Sequence, residues 1–106
     1  MVKVPAPIEE LIKQEGLEGL IGETHRLTLE SLMSGKKTPS EVFEEIKGKY
    51  YISTEHQVIR ALDQLAKIHC VKEVGRKRTE VFTSPIESVY KITDLGKKLL
   101  QSLARK

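Results

Sequence analysis

Three groups of side chains in the 106-residue sequence have the type and spacing to do chemistry. Gln57 and Arg60 lie three apart, so on a helix they project together. An amide and a guanidinium each make paired hydrogen bonds to a flat polar edge, Gln to adenine and Arg to guanine. Arg76-Lys77-Arg78 sets three cations in a row, which suits phosphates or a narrow minor groove, although a charged turn can also be simply solvated. Glu41, Glu44 and Glu45 could form an acid–base or metal site. At the start of a helix, however, carboxylates first serve to solvate it and to favour its positive end.

Other reactive types are poorly placed. His25, His56 and His69 are dispersed and none has an HxxxH or HxxE spacing, so no metal is expected. The one cysteine, Cys70, excludes an intramolecular disulfide framework and any zinc site needing two thiolates from one chain. It reads as a small apolar residue entering a strand, with a redox-sensing thiol as the alternative. No nucleophile–base pair and no glycine-rich phosphate loop is visible. A non-enzymatic chain without a cofactor is the expectation.

The elements that must position these residues are marked by their punctuation. Pro7 suits a first helical turn, Ile8, Leu11 and Ile12 follow at helical spacing, and Gly16 stops them. Leu17, Leu20 and Ile21 predict a further turn or two. The next helix is predicted over 24–34, with Leu27, Leu29, Leu32 and Met33 as its apolar side and Gly35 as its end. Thr38-Pro39-Ser40-Glu41 is a capping box with proline at the first helical position. That helix continues through Val42, Phe43 and Ile46 to Gly48. After Tyr50-Tyr51-Ile52, Ser53 or Thr54 caps a helix over about 54–67. Its inner side is assigned to Val58, Ile59, Ala61, Leu62, Leu65 and Ala66, its outer side to Glu55, His56, Gln57, Arg60, Asp63, Gln64 and Lys67. Residues 70–74 alternate like a strand, 75–80 read as a charged turn, and 89–92 should pair back on 71–74. Pro85 argues against a continuous strand through 81–88, leaving those residues as the distal part of a long hairpin. Thr93-Asp94 caps a last helix on which Leu95, Leu99 and Leu103 stack beside Leu100.

Length supports a single core. Hydrophobic residues make up 39% and aromatic ones only 5%, so aliphatic side chains must build that core. No apolar run approaches the roughly 20 residues that cross a bilayer, which predicts a cytoplasmic chain with no membrane contact. Residues 1–52 carry seven Lys and Arg against nine Asp and Glu, and residues 53–106 eleven against six. A basic second half is what a surface meeting a polyanion would show.

Short helices joined by a glycine-containing turn, then a helix with a polar outer face and a basic hairpin, predict a mainly α fold with a small β-hairpin, the winged helix-turn-helix. Val58-Ile59-Arg60-Ala61-Leu62-Asp63-Gln64-Leu65 resembles the recognition helix of PadR-like and MarR/ArsR-like winged-helix regulators. Val89-Tyr90-Lys91-Ile92-Thr93-Asp94, with Gly96-Lys97, resembles their second wing strand and its passage into the final helix. The resemblance covers roughly 24–104, and it implies transcriptional regulation through double-stranded DNA. The chain departs from the pattern at Ile68-His69-Cys70, where such regulators often carry Gly. His69 is therefore expected to take any positive φ. Residues 81–88 hold an insertion without an assigned role. Residues 1–22 are expected to be a helical extension on a 23–106 winged-helix domain.

On this reading the helix over 54–67 enters the major groove, with His56, Gln57, Arg60, Gln64 and Lys67 on its exposed face. Ser53 and Thr54 would meet a phosphate at its N-terminus, against the opposition of Glu55. Arg76, Lys77 and Arg78 of the wing, and Lys36 and Lys37 before the capping box, would touch the backbone. A homodimer is expected, because two-fold regulators read paired half-sites. Its apolar candidates are Ile8, Leu11 and Ile12, with Leu17, Leu20 and Ile21, at one end of the chain and Leu95, Leu99, Leu100 and Leu103 at the other. A small-molecule effector, if one exists, would have to bind between protomers. The competing expectation is a winged helix that docks protein subunits, which an apolar outer face on 54–67 would favour.

Overall fold

Aliphatic spacing and helix caps decide the path of the chain. The computed structural model describes residues 6–49, 51–78 and 86–104. Its elements are α1 (Ala6–Gln14), α2 (Glu23–Leu32), α3 (Pro39–Ile46), α4 (Glu55–Lys67), β1 (Val71–Arg78), β2 (Ile86–Ile92) and α5 (Asp94–Ala104). This is the mainly α, hairpin-bearing winged helix-turn-helix expected from the sequence.

One hydrophobic cluster joins all the helices. It runs from Ile8, Ile12 and Leu17 through Leu29, Leu32, Val42, Ile46, Leu62, Leu65 and Ile68 to Ile92 and Leu99. Four residues expected at a dimer contact are therefore enclosed by their own chain: Ile8 and Leu99 have no exposed surface, and Leu17 and Ile12 at most 9%. Leu11, Leu95, Leu100 and Leu103 pack against the cluster from its edge and stay partly open.

The local signals hold at several ends. Thr38 Oγ1 accepts from the Glu41 N–H and Glu41 Oε1 accepts from the Thr38 N–H, at 3.2 and 2.9 Å. Gly48 (φ +85°) lets the chain turn sharply out of α3. His69 does take the left-handed conformation expected of it, at φ +61°. Thr93 Oγ1 accepts from the Gly96 N–H of α5 and donates to the His69 carbonyl. The tight turn after α4 is thus pinned to the start of the last helix.

Four expectations change. Residues 17–21 form hydrogen-bonded turns, not a helix, with Leu17 buried and Leu20 exposed. The helix predicted over 24–34 ends at Leu32. Ile59 lies on the outer side of α4, 41% exposed, because the buried seam of Val58, Ala61, Leu62 and Leu65 turns it away. Residues 75–78 are strand, not turn: β1 pairs antiparallel with β2 from Val71↔Ile92 to Arg78↔Ile86. An irregularity between Glu73 and Gly75 leaves Val74 without a partner, which lets a twisted hairpin continue. The distal segment 79–85, including Thr83, Ser84 and Pro85, lies outside the described residues. A pairing with no sequence signal joins Lys37 to Tyr90 through two backbone hydrogen bonds, tying the approach to α3 onto the hairpin.

Gly96 is the closest backbone approach. A Cβ there would overlap the carbonyl oxygen of Cys70 and come within 2.7 Å of Ile92 Cγ1. Backbone cannot yield as a flexible side chain can. Gly96→Ala is expected to destabilise the protein by about 2–3 kcal/mol in urea unfolding, whereas alanine at exposed Lys97 should change stability by less than about 0.5 kcal/mol.

Candidate nucleic-acid interface

The outer face of α4 follows from its inner one. Val58, Ala61, Leu62 and Leu65 are each at most 2% exposed, so the helix cannot roll. His56, Ile59, Arg60, Asp63 and Lys67 form its exposed stripe. Asp63 and Lys67 are 3.7 Å apart and well hydrated, a pairing worth little.

Both glutamines assigned to that face are half-buried and hydrogen-bonded within the fold. Gln57 Oε1 accepts from the Ser53 and Thr54 N–H groups at 2.8 and 3.0 Å, and Gln57 Nε2 donates to the Tyr51 carbonyl at 3.3 Å. Its amide closes the start of α4. Thr54-x-x-Gln57 is the same capping pattern as Thr38-x-x-Glu41, a signal present in the sequence. Gln64 Oε1 accepts from His25 Nε2 at 2.7 Å. His25 Nδ1 accepts from the Gly22 N–H at 3.1 Å, so the proton sits on Nε2 and the ring is neutral. A shallow cleft of about 220 Å³ separates Leu20 from the Gln57–Arg60–Gln64 edge of α4, with His25 lining it.

The N–H groups of Ser53 and Thr54 and the Thr54 hydroxyl all donate to Gln57 Oε1, leaving the exposed Ser53 hydroxyl for any phosphate contact. Glu55 stands beside them. Its Oε2 is shut off from water and has no hydrogen-bond partner among the described residues. Burial, and then the charge of Glu87, raise its pKa. Glu87 is itself buried and accepts from the N–H and hydroxyl of Ser40.

Pairing also divides the basic residues. Lys77 Nζ reaches Glu41 Oε2 at 2.7 Å; the Lys77 ammonium and the Thr38 N–H lower the pKa of Glu41. Arg76 and Arg78 point to the opposite face of β1 and are exposed, with Arg76 3.9 Å from Glu73. Lys37 Nζ is held by the Ser31 carbonyl, Ser34 Oγ and Glu45 Oε2, which seals the C-terminal end of α2. Lys36 is exposed. Glu44 pairs with Lys47 at 2.9 Å, so each of the three glutamates of α3 has a cationic partner. Among the described residues no cluster of three or more His, Cys, Asp or Glu could hold a metal ion, and no helix is long and apolar enough to cross a membrane. Burial pushes the Cys70 thiol up to about 12, so it is protonated at neutral pH and a poor nucleophile.

Two exposed residues escaped the sequence reading. Ile59 was placed inside by its apolar type. Tyr51, 88% exposed with φ +59°, stands just ahead of α4 in what reads as a plain connection.

No protein-family model matches the sequence, and no curated protein matches it. Solved structures do. A PadR family transcription regulator from Clostridium difficile superposes with a TM-score of 0.60 at 18% identity, over 76% of this chain and 81% of that one. Bacillus subtilis PadR in complex with operator DNA gives 0.57 at 22% identity, over 77% of this chain. The fold is that of the PadR regulators. The chain spans under half the length of the Bacillus protein, 47%.

Burial lowers the pKa of His25, with the Gln64 hydrogen bond acting against it. The unfolded chain then binds the proton more readily. Stability from His25 is complete above its ordinary value of about 6.5 and is lost as pH falls below it. His25→Gln should remove this part of the pH dependence, read from urea midpoints between pH 7.5 and 5. Glu55 has the opposite sign, because its ionised form is disfavoured in the fold. Glu55→Gln should stabilise the protein at pH 7 by roughly 1 kcal/mol. That gain should shrink as pH falls through the raised Glu55 value, where the wild-type carboxyl takes up its proton.

Proposed function

We propose that the chain is a sequence-specific regulator of transcription that binds double-stranded DNA, with α4 in the major groove and the β1–β2 hairpin on the backbone or in a minor groove. The observation that carries this reading is the exposed stripe of α4 standing beside a hairpin whose Arg76 and Arg78 face solvent. A helix presenting an exposed guanidinium has the width and chemistry for the major groove. The likeness to a regulator solved on its operator supports the same direction. A non-enzymatic role and a cytoplasmic setting accompany it.

A homodimer fits this function, since two half-sites multiply the few base contacts of one domain. Leu11, Leu100 and Leu103, partly open at the margin of the core, supply its apolar surface. Ile59 and Tyr51 favour a second reading, a docking module for another protein, because both put apolar area next to α4.

Fluorescence anisotropy with duplex DNA at several salt concentrations separates the two. Each phosphate contact contributes about −0.9 to the slope of log K against log salt. The Arg76→Ala, Arg78→Ala double variant should flatten that slope by up to about 1.8. Lys77→Ala should flatten it less, because Glu41 already neutralises Lys77. A stoichiometric protein partner together with no affinity for DNA would favour docking. Sedimentation equilibrium should give twice the chain mass, and Leu100→Glu should shift it towards the monomer.

A further inference from the structure

Resting on the DNA-binding reading, we infer that base recognition falls to Arg60 and Ile59, and that Gln57 and Gln64 position the helix without reading bases. Three residues of similar promise in the sequence, Gln57, Arg60 and Gln64, are separated by their hydrogen bonds. Gln57 holds two N–H groups and a carbonyl at the start of α4. Reaching a base edge would uncap the helix and leave those groups open. Gln64 holds His25, which in turn holds the Gly22 N–H. This chain of contacts ties Gly22, at the start of α2, to α4 through His25, so moving Gln64 would leave buried His25 without its acceptor. An unmet His25 bears the desolvation penalty of a buried group, and moving Gln57 loses a stabilising helix cap.

Among the described residues Arg60 has no such hydrogen bond: it is exposed, at the edge of the cleft that Gln57 and Gln64 also line. Its five donors match the paired acceptors of guanine. Ile59 is 41% exposed within an otherwise polar stripe. The one apolar feature that a base pair shows in the major groove is the thymine methyl group. Residues 59 and 60 project about 100° apart on the exposed side of α4, so the geometry points to a half-site that contains both a guanine and a thymine.

Selection of duplexes from a random pool, followed by equilibrium binding of the full chain, tests this. Wild-type protein should require one guanine per half-site, with a tenfold or greater loss for other bases. Arg60→Ala should abolish that preference, with Arg60→Lys retaining part of it. Uracil in place of thymine should weaken the wild type roughly fourfold and leave Ile59→Ala unaffected. Gln57→Ala and Gln64→Ala should weaken all duplexes alike and keep the selected sequence. Amide exchange at Ser53 and Thr54 should accelerate in Gln57→Ala but not in Gln57→Glu, which keeps the acceptor oxygen. A changed base preference in either glutamine variant, or an unchanged one in Arg60→Ala, would overturn this assignment while leaving DNA binding intact. Wild-type protein that binds no duplex at low salt would overturn the DNA-binding reading itself.

Discussion

The buried seam of α4 is the constraint from which the rest follows. Val58, Ala61, Leu62 and Leu65, continued by Ile68, are packed against α2, α3 and the hairpin with almost no exposure. Burying each of the larger aliphatic side chains stabilises the fold by roughly 1.5–3 kcal/mol. Exposed ion pairs on the other face are worth at most about 1 kcal/mol. The apolar side therefore sets the rotation of the helix, and the polar side takes whatever direction remains. Ile59 shows the ranking: it is as apolar as its neighbours, yet it faces water because the seam already occupies the inner arc.

Both ends of α4 hold a non-glycine residue at positive φ, Tyr51 before it and His69 after it. Such conformations cost of order 1 kcal/mol or more and persist only where the surroundings determine them. Hydrogen bonds meet both. The Tyr51 carbonyl receives the Gln57 amide, and the His69 carbonyl receives the Thr93 hydroxyl. The helix is thus held at both ends as well as in rotation.

Charge is allocated by the same logic of partners. Lys37 and Lys77 lie against glutamates of α3, whereas Arg76 and Arg78 are exposed on the other face of β1. Of the three consecutive cations of β1, Lys77 is thus paired across to α3 while Arg76 and Arg78 stay on the other face. On the acidic side, Glu87 meets its donors at Ser40, while Glu55 is left with a buried oxygen and a like charge near it.

Much of this was legible in residue order alone. The helix that follows Thr38 was announced by its capping box and, Ile59 apart, the seam of α4 by its spacing. These are local effects, set by neighbours three or four positions away. Gln57 belongs with them, since its Thr54-x-x-Gln57 cap is equally local. Other assignments depended on residues far along the chain. Gln64 is committed to His25 from 39 positions away, Lys77 to Glu41 from 36 and Ser40 to Glu87 from 47. Residue types and periodicity determined which side chains could face outward; folding decided which of them were already bonded, because hydrogen-bond and ion-pair partners are chosen by distance in space, and only the packed core brings those distant positions together.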